Sequence, residues 1–340
     1  MEGLLLKKYG DITNVLTRSE IEKPTPKVGE ILIEVKTVAL NPIDIKIANG
    51  DLKAILPSIT KKPKLGFDVC GIVRDTGNKV TSFKNDDEVY LRLPLDRGSG
   101  FSKFIVAKLD HVALKPKNLS FEEAAALPLA ALTSIQAISE YANAEAGQSI
   151  LIDSGSGGVG TFAIQYAKYL ELKVTAVASH RNEALLENLG VDKVICYDLE
   201  SFLDSGEKYD IVFNMIGNTN PIKCIMATKK GGTVVSIGGP PDIRFVPKLK
   251  VNLVQKLLLF PLFGLTSLPI KILALAKGVR YNRFLTESDG LQLENVSKLV
   301  EEGKIKPVVD KVYPLKDYKA AFDYLKSNRV KGKLVLNEIK

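Results

Sequence analysis

The sequence predicts a two-domain α/β protein, in which a β-rich domain is interrupted by a doubly wound parallel-sheet nucleotide domain. Three observations predict it. The chain has 340 residues, more than a single hydrophobic core usually supports. Its first third is built of short, alternating apolar runs punctuated by Pro and Gly. From about Ser120 onward, apolar runs alternate one for one with stretches of helical spacing, the pattern of a parallel sheet covered on both faces.

In the first third, Ile31–Val38, Val69–Val73 and Glu88–Leu93 are rich in branched residues and read as strands, with Pro24, Pro26, Gly29, Gly66 and Gly77 at the turns between them. Ser120 followed by Glu122 and Glu123 is an N-cap with acids in the first turn, so a helix begins there. The alternation then runs through strand Ser149–Ile152, helix Val159–Leu170, strand Lys173–Ala178 and helix Asn182–Leu189. Strands Lys193–Cys196 and Asp210–Asn214, helix Pro221–Ala227 and strand Thr233–Ile237 follow, closed by Gly238-Gly239. An amphipathic helix begins after Leu291, and Lys333–Leu336 is a last strand. Residues 1–123 and 286–340 are assigned to the β-rich domain, and 124–285 to the nucleotide domain.

Composition removes several chemistries. With 45% hydrophobic and 25% charged residues, the chain is neither disordered nor a multi-span membrane protein. The cysteines, Cys70, Cys196 and Cys224, are far apart in sequence, which excludes a disulfide framework and a CxxC site and suits a reducing compartment. His111 and His180 are the only histidines. The net charge of +8 is spread over scattered lysines such as Lys229-Lys230, without a long basic run. That distribution reads as a solvated surface, and no nucleic-acid partner is expected. Met1 to Tyr9 reads as a first strand, not as a targeting peptide, so the expected location is cytoplasmic.

The strand Ile150–Ile152 runs into Asp153-Ser154-Gly155-Ser156-Gly157-Gly158-Val159-Gly160 and then a helix. Gly155, Gly157 and Gly160 fit the G-x-G-x-x-G pattern. The first glycine makes the turn, the second admits a pyrophosphate, and the third lets helix and strand pack closely. Ser156, Gly157, Gly158 and Val159 are the expected phosphate-facing residues. A second strand ends about twenty-five residues on, where an acid would select a ribose 2′-hydroxyl. Here stand Ser179-His180-Arg181, a hydroxyl and a guanidinium suited to a 2′-phosphate. The expected cofactor is NADP(H).

At this point the chain resembles the medium-chain dehydrogenase/reductase superfamily, and within it the zinc-free quinone oxidoreductase-like branch. The resemblance runs end to end. It is carried by Asn41-Pro42-Ile43-Asp44-Ile45-Lys46, Gly66-Phe67-Asp68-Val69-Cys70-Gly71, Glu123-Ala124-Ala125-Ala126-Leu127-Pro128, the glycine loop, Gly303-Lys304-Ile305-Lys306-Pro307 and Arg329-Val330-Lys331-Gly332-Lys333. The Asn-Pro-Ile-Asp-x-Lys element is most like chloroplast-envelope quinone oxidoreductase-like and reticulon-interacting-protein-like members. The resemblance implies that the β-rich domain is a GroES-like catalytic domain. It also implies that Tyr197, Arg329 and Lys333 lie on the cofactor, that Thr133 approaches the nicotinamide, and that Ile216, Gly238, Phe284 and Leu285 line its pocket. Zinc members carry a cysteine in the segment matched by Asn41–Lys46 and a His-Glu pair matched by Phe67-Asp68. With Phe67 in the histidine position, no zinc is expected.

Asn41, Asp44 and Lys46 lie close together, and a strand-like stretch would put them on one face. Two readings are open. They line the active site, with Asn41 or Lys46 polarising a carbonyl, or they form a buried turn network. In either case Lys46 is the expected partner of Asp68, a carboxylate that needs compensation once the metal is lost. The apolar stretch Leu257–Ile270, with Pro261, Gly264 and Pro269, reads as too short and broken to span a bilayer. It is a lid or dimer surface on one reading, and a peripheral contact with a membrane or lipid-like substrate on the other. The expected function is zinc-independent, NADPH-dependent reduction of small hydrophobic quinones or α,β-unsaturated ketones and aldehydes. The alternatives are a non-catalytic binding protein on the same scaffold and an enoyl-thioester reductase.

Overall fold

The computed structural model describes residues 1–53, 64–217, 220–240, 242–248 and 252–339. The chain forms two compact units, Met1–Leu132 with Glu287–Lys340, and Thr133–Thr286. The first crossover thus falls after the position expected at 123/124, because helix Phe121–Ala125 packs on strands Glu30–Ala39 and Asp68–Thr76 of the first unit. That helix begins as expected, with Ser120 Oγ accepting from the Glu123 N–H and the Glu123 carboxylate from the Ser120 N–H.

The first unit is built on a seven-stranded sheet. Its order is Val309–Pro314, Lys333–Asn337, Glu30–Ala39, Asp68–Thr76, Glu88–Arg92 and Val112–Leu114, with Phe104–Lys108 also paired to Glu30–Ala39. The branched residues of the predicted strands make its core: Ile31, Ile33, Val35 and Val38 are buried against Phe67, Val69, Leu91, Leu334 and Leu336. The strand Lys333–Asn337 joins this sheet antiparallel to Glu30–Ala39, with Val335 opposite Ala39. One chain segment from each end therefore completes the same core.

The second unit has six parallel strands in the order Lys193–Cys196, Lys173–Ala178, Ser149–Ile152, Tyr209–Asn214, Thr228–Ser236 and Arg280–Arg283. Numbered within the unit this is 3-2-1-4-5-6, the dinucleotide-binding order, and it reverses beside Ser149–Ile152. The loop following that strand is where ligand binding is favoured. Between the last two strands runs a helix that the sequence reading did not expect, Leu253–Ala276. Pro261 and Pro269 lie inside it, and the stretch read as too broken is one continuous 24-residue helix.

Candidate active site

In the nucleotide unit, the chain leaves Ile152 through Asp153, whose buried carboxylate accepts from the Met215 N–H at 2.7 Å and ties the first and fourth strand ends together. Helix Gly158–Tyr169 follows, with Gly157 as an N-cap that makes no side-chain capping bond, so its first N–H groups stay available to an anion. A Cβ on Gly160 would lie 2.0 Å from the Ser154 carbonyl oxygen, so only glycine lets the helix dock on the loop. A Cβ on Gly157 would meet nothing nearer than Ser154 Oγ at 3.5 Å, which leaves the second glycine open to a pyrophosphate. Ser156 Oγ accepts from Asn182 Nδ2 at 2.9 Å, bracing the loop against the turn after the second strand.

That turn carries the residues expected to choose the cofactor. Ser179 is buried with its hydroxyl unpaired, while Arg181 and Tyr197 are exposed at neighbouring strand ends. An orphaned hydroxyl and a guanidinium fit a 2′-phosphate, and the Asp198 carboxylate, just past the adjacent third strand, accepts from the His180 N–H at 2.9 Å. His180, Glu183 and Cys196 bring ligand-type atoms within 4.8 Å of one another beside this turn. Ile216 is exposed past the fourth strand, and the Gly238 carbonyl accepts from Arg283 Nε at 3.0 Å. Thr133 Oγ1 lies 2.8 Å from Thr286 Oγ1, both in this unit. Phe284 departs from expectation: it is fully buried, with its ring stacked on Tyr141 at 4.6 Å. Its neighbour Leu285 is the side chain that reaches solvent. The residues present fit NADP(H).

In the catalytic unit, Asn41–Lys46 is not strand-like. Asn41 is the N-cap and Pro42 opens helix Pro42–Asn49, so a helix, not an alternating strand, sets which way each side chain points. Asn41 and Asp44 are buried and Lys46 is exposed, without a hydrogen bond or ion pair among the described residues. Asp44 accepts from the N–H groups of Asn41 at 2.9 Å and Gly66 at 2.8 Å. Gly66 adopts φ 80°, a conformation that favours glycine. Burial pushes the Asp44 carboxyl up to about 7, against the pull of those two donors.

The partner of Asp68 is Lys333, not Lys46. The Lys333 ammonium donates to Asp68 Oδ2 at 2.8 Å and to Asn41 Oδ1 at 2.6 Å. Asn41 Nδ2 donates to the same Asp68 oxygen at 3.0 Å, and the Leu129 N–H to the other at 2.9 Å. Asp68 is 0% exposed and Lys333 6%. The expected cofactor-binding role of Lys333 is thereby corrected, because its charge is committed inside the sheet. Arg92, opposite Asp68 in the ladder, is a second buried cation, which burial lowers to about 10. Arg329 is exposed in this unit. No local pattern announced the Lys333–Asp68 pair. The available signal was a lysine heading the buried run Leu334-Val335-Leu336, which needs an acid somewhere.

This cluster does not fit a catalytic zinc. A zinc site needs three or four nitrogen, sulfur or oxygen ligands near 2 Å. Phe67 offers none and is fully buried, and Asn41 and Asp68 already hold an ammonium that would repel a dication. Cys70, Cys196 and Cys224 are buried, and burial pushes each thiol up, away from the thiolate that binds metal.

Residues 27–117 match the alcohol dehydrogenase GroES-like domain, and residues 189–336 match the family described as zinc-binding dehydrogenase. A 2-methylene-furan-3-one reductase of Solanum lycopersicum is 34% identical over 97% of this chain and 77% of its own length. An NADPH-dependent alkenal/one oxidoreductase of Arabidopsis thaliana is 33% identical over 100% of this chain and 80% of its own. Among solved structures, the quinone oxidoreductase from Coxiella burnetii superposes with a TM-score of 0.85 at 29% identity, covering 99% of each chain. With the glycine loop in a 3-2-1-4-5-6 sheet and a Lys–Asp–Asn network where zinc members keep their metal ligands, the chain belongs to the zinc-free quinone oxidoreductase-like branch of the medium-chain dehydrogenase/reductase superfamily.

Proposed function

We propose that the chain is a zinc-independent, NADPH-dependent reductase of quinones and α,β-unsaturated ketones or aldehydes. The observation that carries the reading is the pairing of a complete nucleotide unit with a catalytic unit whose metal positions are closed by Lys333, Asp68 and Asn41. Without a Lewis acid, oxidation of an unactivated alcohol lacks its alkoxide stabiliser, whereas an already polarised acceptor needs less help. The named alkenal/one and quinone relatives support the same acceptor class.

Bound NADPH supplies the hydride. The chain's own residues do the rest. The N–H groups of the first turn of Gly158–Tyr169 would hold the pyrophosphate, Ser179 and Arg181 would hold the 2′-phosphate, and Thr133 with Thr286 would fix the nicotinamide end. Hydride reaches the carbon β to the carbonyl, electrons move onto the oxygen as an enolate, and a proton then adds at the α carbon. Lys46, exposed and uncommitted among the described residues, is the donor we assign to the developing oxygen charge or to that proton. Asn41 is scaffold in this reading, because both ends of its amide are in use.

The experiment is NADPH consumption across a panel of enones and quinones, with stereospecifically deuterated NADPH. Label at the β carbon is the expected result. Label at the carbonyl carbon would make the chain a carbonyl reductase, and binding without consumption of any acceptor would make it a binding protein. Turnover confined to acyl thioesters would select the enoyl reductase reading.

A further inference from the structure

Helix Leu253–Ala276 is, among the described residues, the one helix long and apolar enough to cross a membrane. Crossing is not what its packing allows. Leu259, Phe263, Ser267, Ile270 and Ala274 recur every three or four residues and are buried in the nucleotide unit. The helix also connects two neighbouring strands of the parallel sheet, so threading it through a bilayer would drag the sheet along. The buried stripe equally argues against a mobile lid.

The opposite face is the anomaly. A surface helix normally turns polar side chains away from the core. Here Val254, Leu257, Leu258, Leu265, Ile272 and Leu275 are 57–82% exposed. At 3.6 residues per turn they fall on one continuous arc facing away from Phe263, and the arc contains no polar side chain. Gln255, Lys256, Thr266 and Lys271 all fall outside it. The helix is about 36 Å long, so this is a stripe and not a scatter of single residues.

The charge around it is one-sided. Between Asp242 and Glu287 the sequence carries eight Lys and Arg and no Asp or Glu, of which Lys271 is paired with Asp242 at 3.2 Å and Arg283 donates to the Gly238 carbonyl. Lys277 and Arg280 are exposed just beyond the helix end.

We propose that this face docks in the plane of an anionic membrane leaflet, its leucines in the acyl boundary and its flanking cations on lipid phosphates. Charge complementarity chooses the occupant. A second copy seated on the same face would set one basic, acid-free segment against another, whereas an anionic lipid surface supplies the missing negative charge. The proposal stands on the helix and not on the reductase reading, and its test does not involve turnover.

The test is flotation of the full chain with vesicles of phosphatidylcholine alone and of phosphatidylcholine mixed with phosphatidylglycerol, at low and high salt. The expected result is flotation with the anionic vesicles, weakened by salt and about tenfold lower with neutral ones. A variant carrying Leu257→Gln, Leu258→Gln, Leu265→Gln and Leu275→Gln should lose flotation while keeping its melting temperature and NADPH affinity. Lys277→Glu with Arg280→Glu should lose the preference for anionic vesicles. No flotation with either vesicle, or equal flotation with both, overturns the proposal. A dimer in light scattering that the leucine variant dissolves, without flotation, assigns the face to a second copy instead.

Discussion

Replacing Lys333 by methionine removes the cation from the Asp68–Asn41–Lys333 network while keeping most of the side-chain volume. The carboxylate of Asp68, 0% exposed, then keeps the Asn41 amide at 3.0 Å and the Leu129 N–H at 2.9 Å but loses its hydrogen-bonded countercharge, with Arg92 across the ladder as the remaining buried cation. Breaking one partner out of a buried pair costs about 3–5 kcal/mol. In a folding unit of this size, each kcal/mol moves the melting temperature by about 2–4 °C, so Lys333→Met should lower it by about 6–20 °C. Adding Asp68→Asn removes the stranded charge and should return more than half of the loss, a coupling of at least about 2 kcal/mol. Thermal melts of wild type, both single variants and the double variant close the cycle. A loss under about 1 kcal/mol for Lys333→Met, or a double variant as unstable as the two singles added together, would refute the buried-pair argument.

Asp44 gives a pH signature. Its folded pKa, raised by burial to about 7 from 3.8, means that its contribution to stability is full below pH 3.8 and is lost as pH rises toward 7. Melting temperatures of Asp44→Asn relative to wild type should therefore improve steadily from pH 4 to 7 and level off above, and a pH-independent difference would sink the assignment. Phe263 and Leu258 sit five residues apart in one helix but on opposite faces, so Phe263→Ala should cost about 3–5 kcal/mol and Leu258→Gln less than about 1. Similar losses in chemical denaturation would show that the exposed arc is really packed. Arg181→Ala should weaken NADPH about ten- to a hundredfold and leave NADH nearly untouched in titration calorimetry. Equal weakening of both would remove the 2′-phosphate contact.

What was legible in the sequence was whatever depends on local period. The first five nucleotide strands lie where the apolar runs stood, and the glycine loop follows the first of them, whereas the sixth, Arg280–Arg283, has no apolar run to announce it. The misreadings share a cause. Asn41-Pro42 is itself an N-cap followed by a first-turn proline, yet residue spacing alone suggested a strand and one common face. Pro261 and Pro269 looked like breakers, but packing of Leu259, Phe263 and Ile270 holds the helix through them. Lys333 and Asp68 are 265 residues apart, and no local pattern can show which acid a buried lysine will meet.

That separation sets a timetable for synthesis. The nucleotide unit is one unbroken stretch and leaves the ribosome whole, whereas the unit around it begins first and finishes last. At roughly 5–20 residues per second, Asp68 waits roughly 10–50 s for its lysine. Through that interval the strand Glu30–Ala39 has no neighbour along the positions that Val335 and Leu336 will occupy, an open edge able to pair with other nascent chains. The final strand thus acts as a latch for the amino-terminal sheet. Shortening the chain ahead of Lys333 would hit the half of the molecule that was made first.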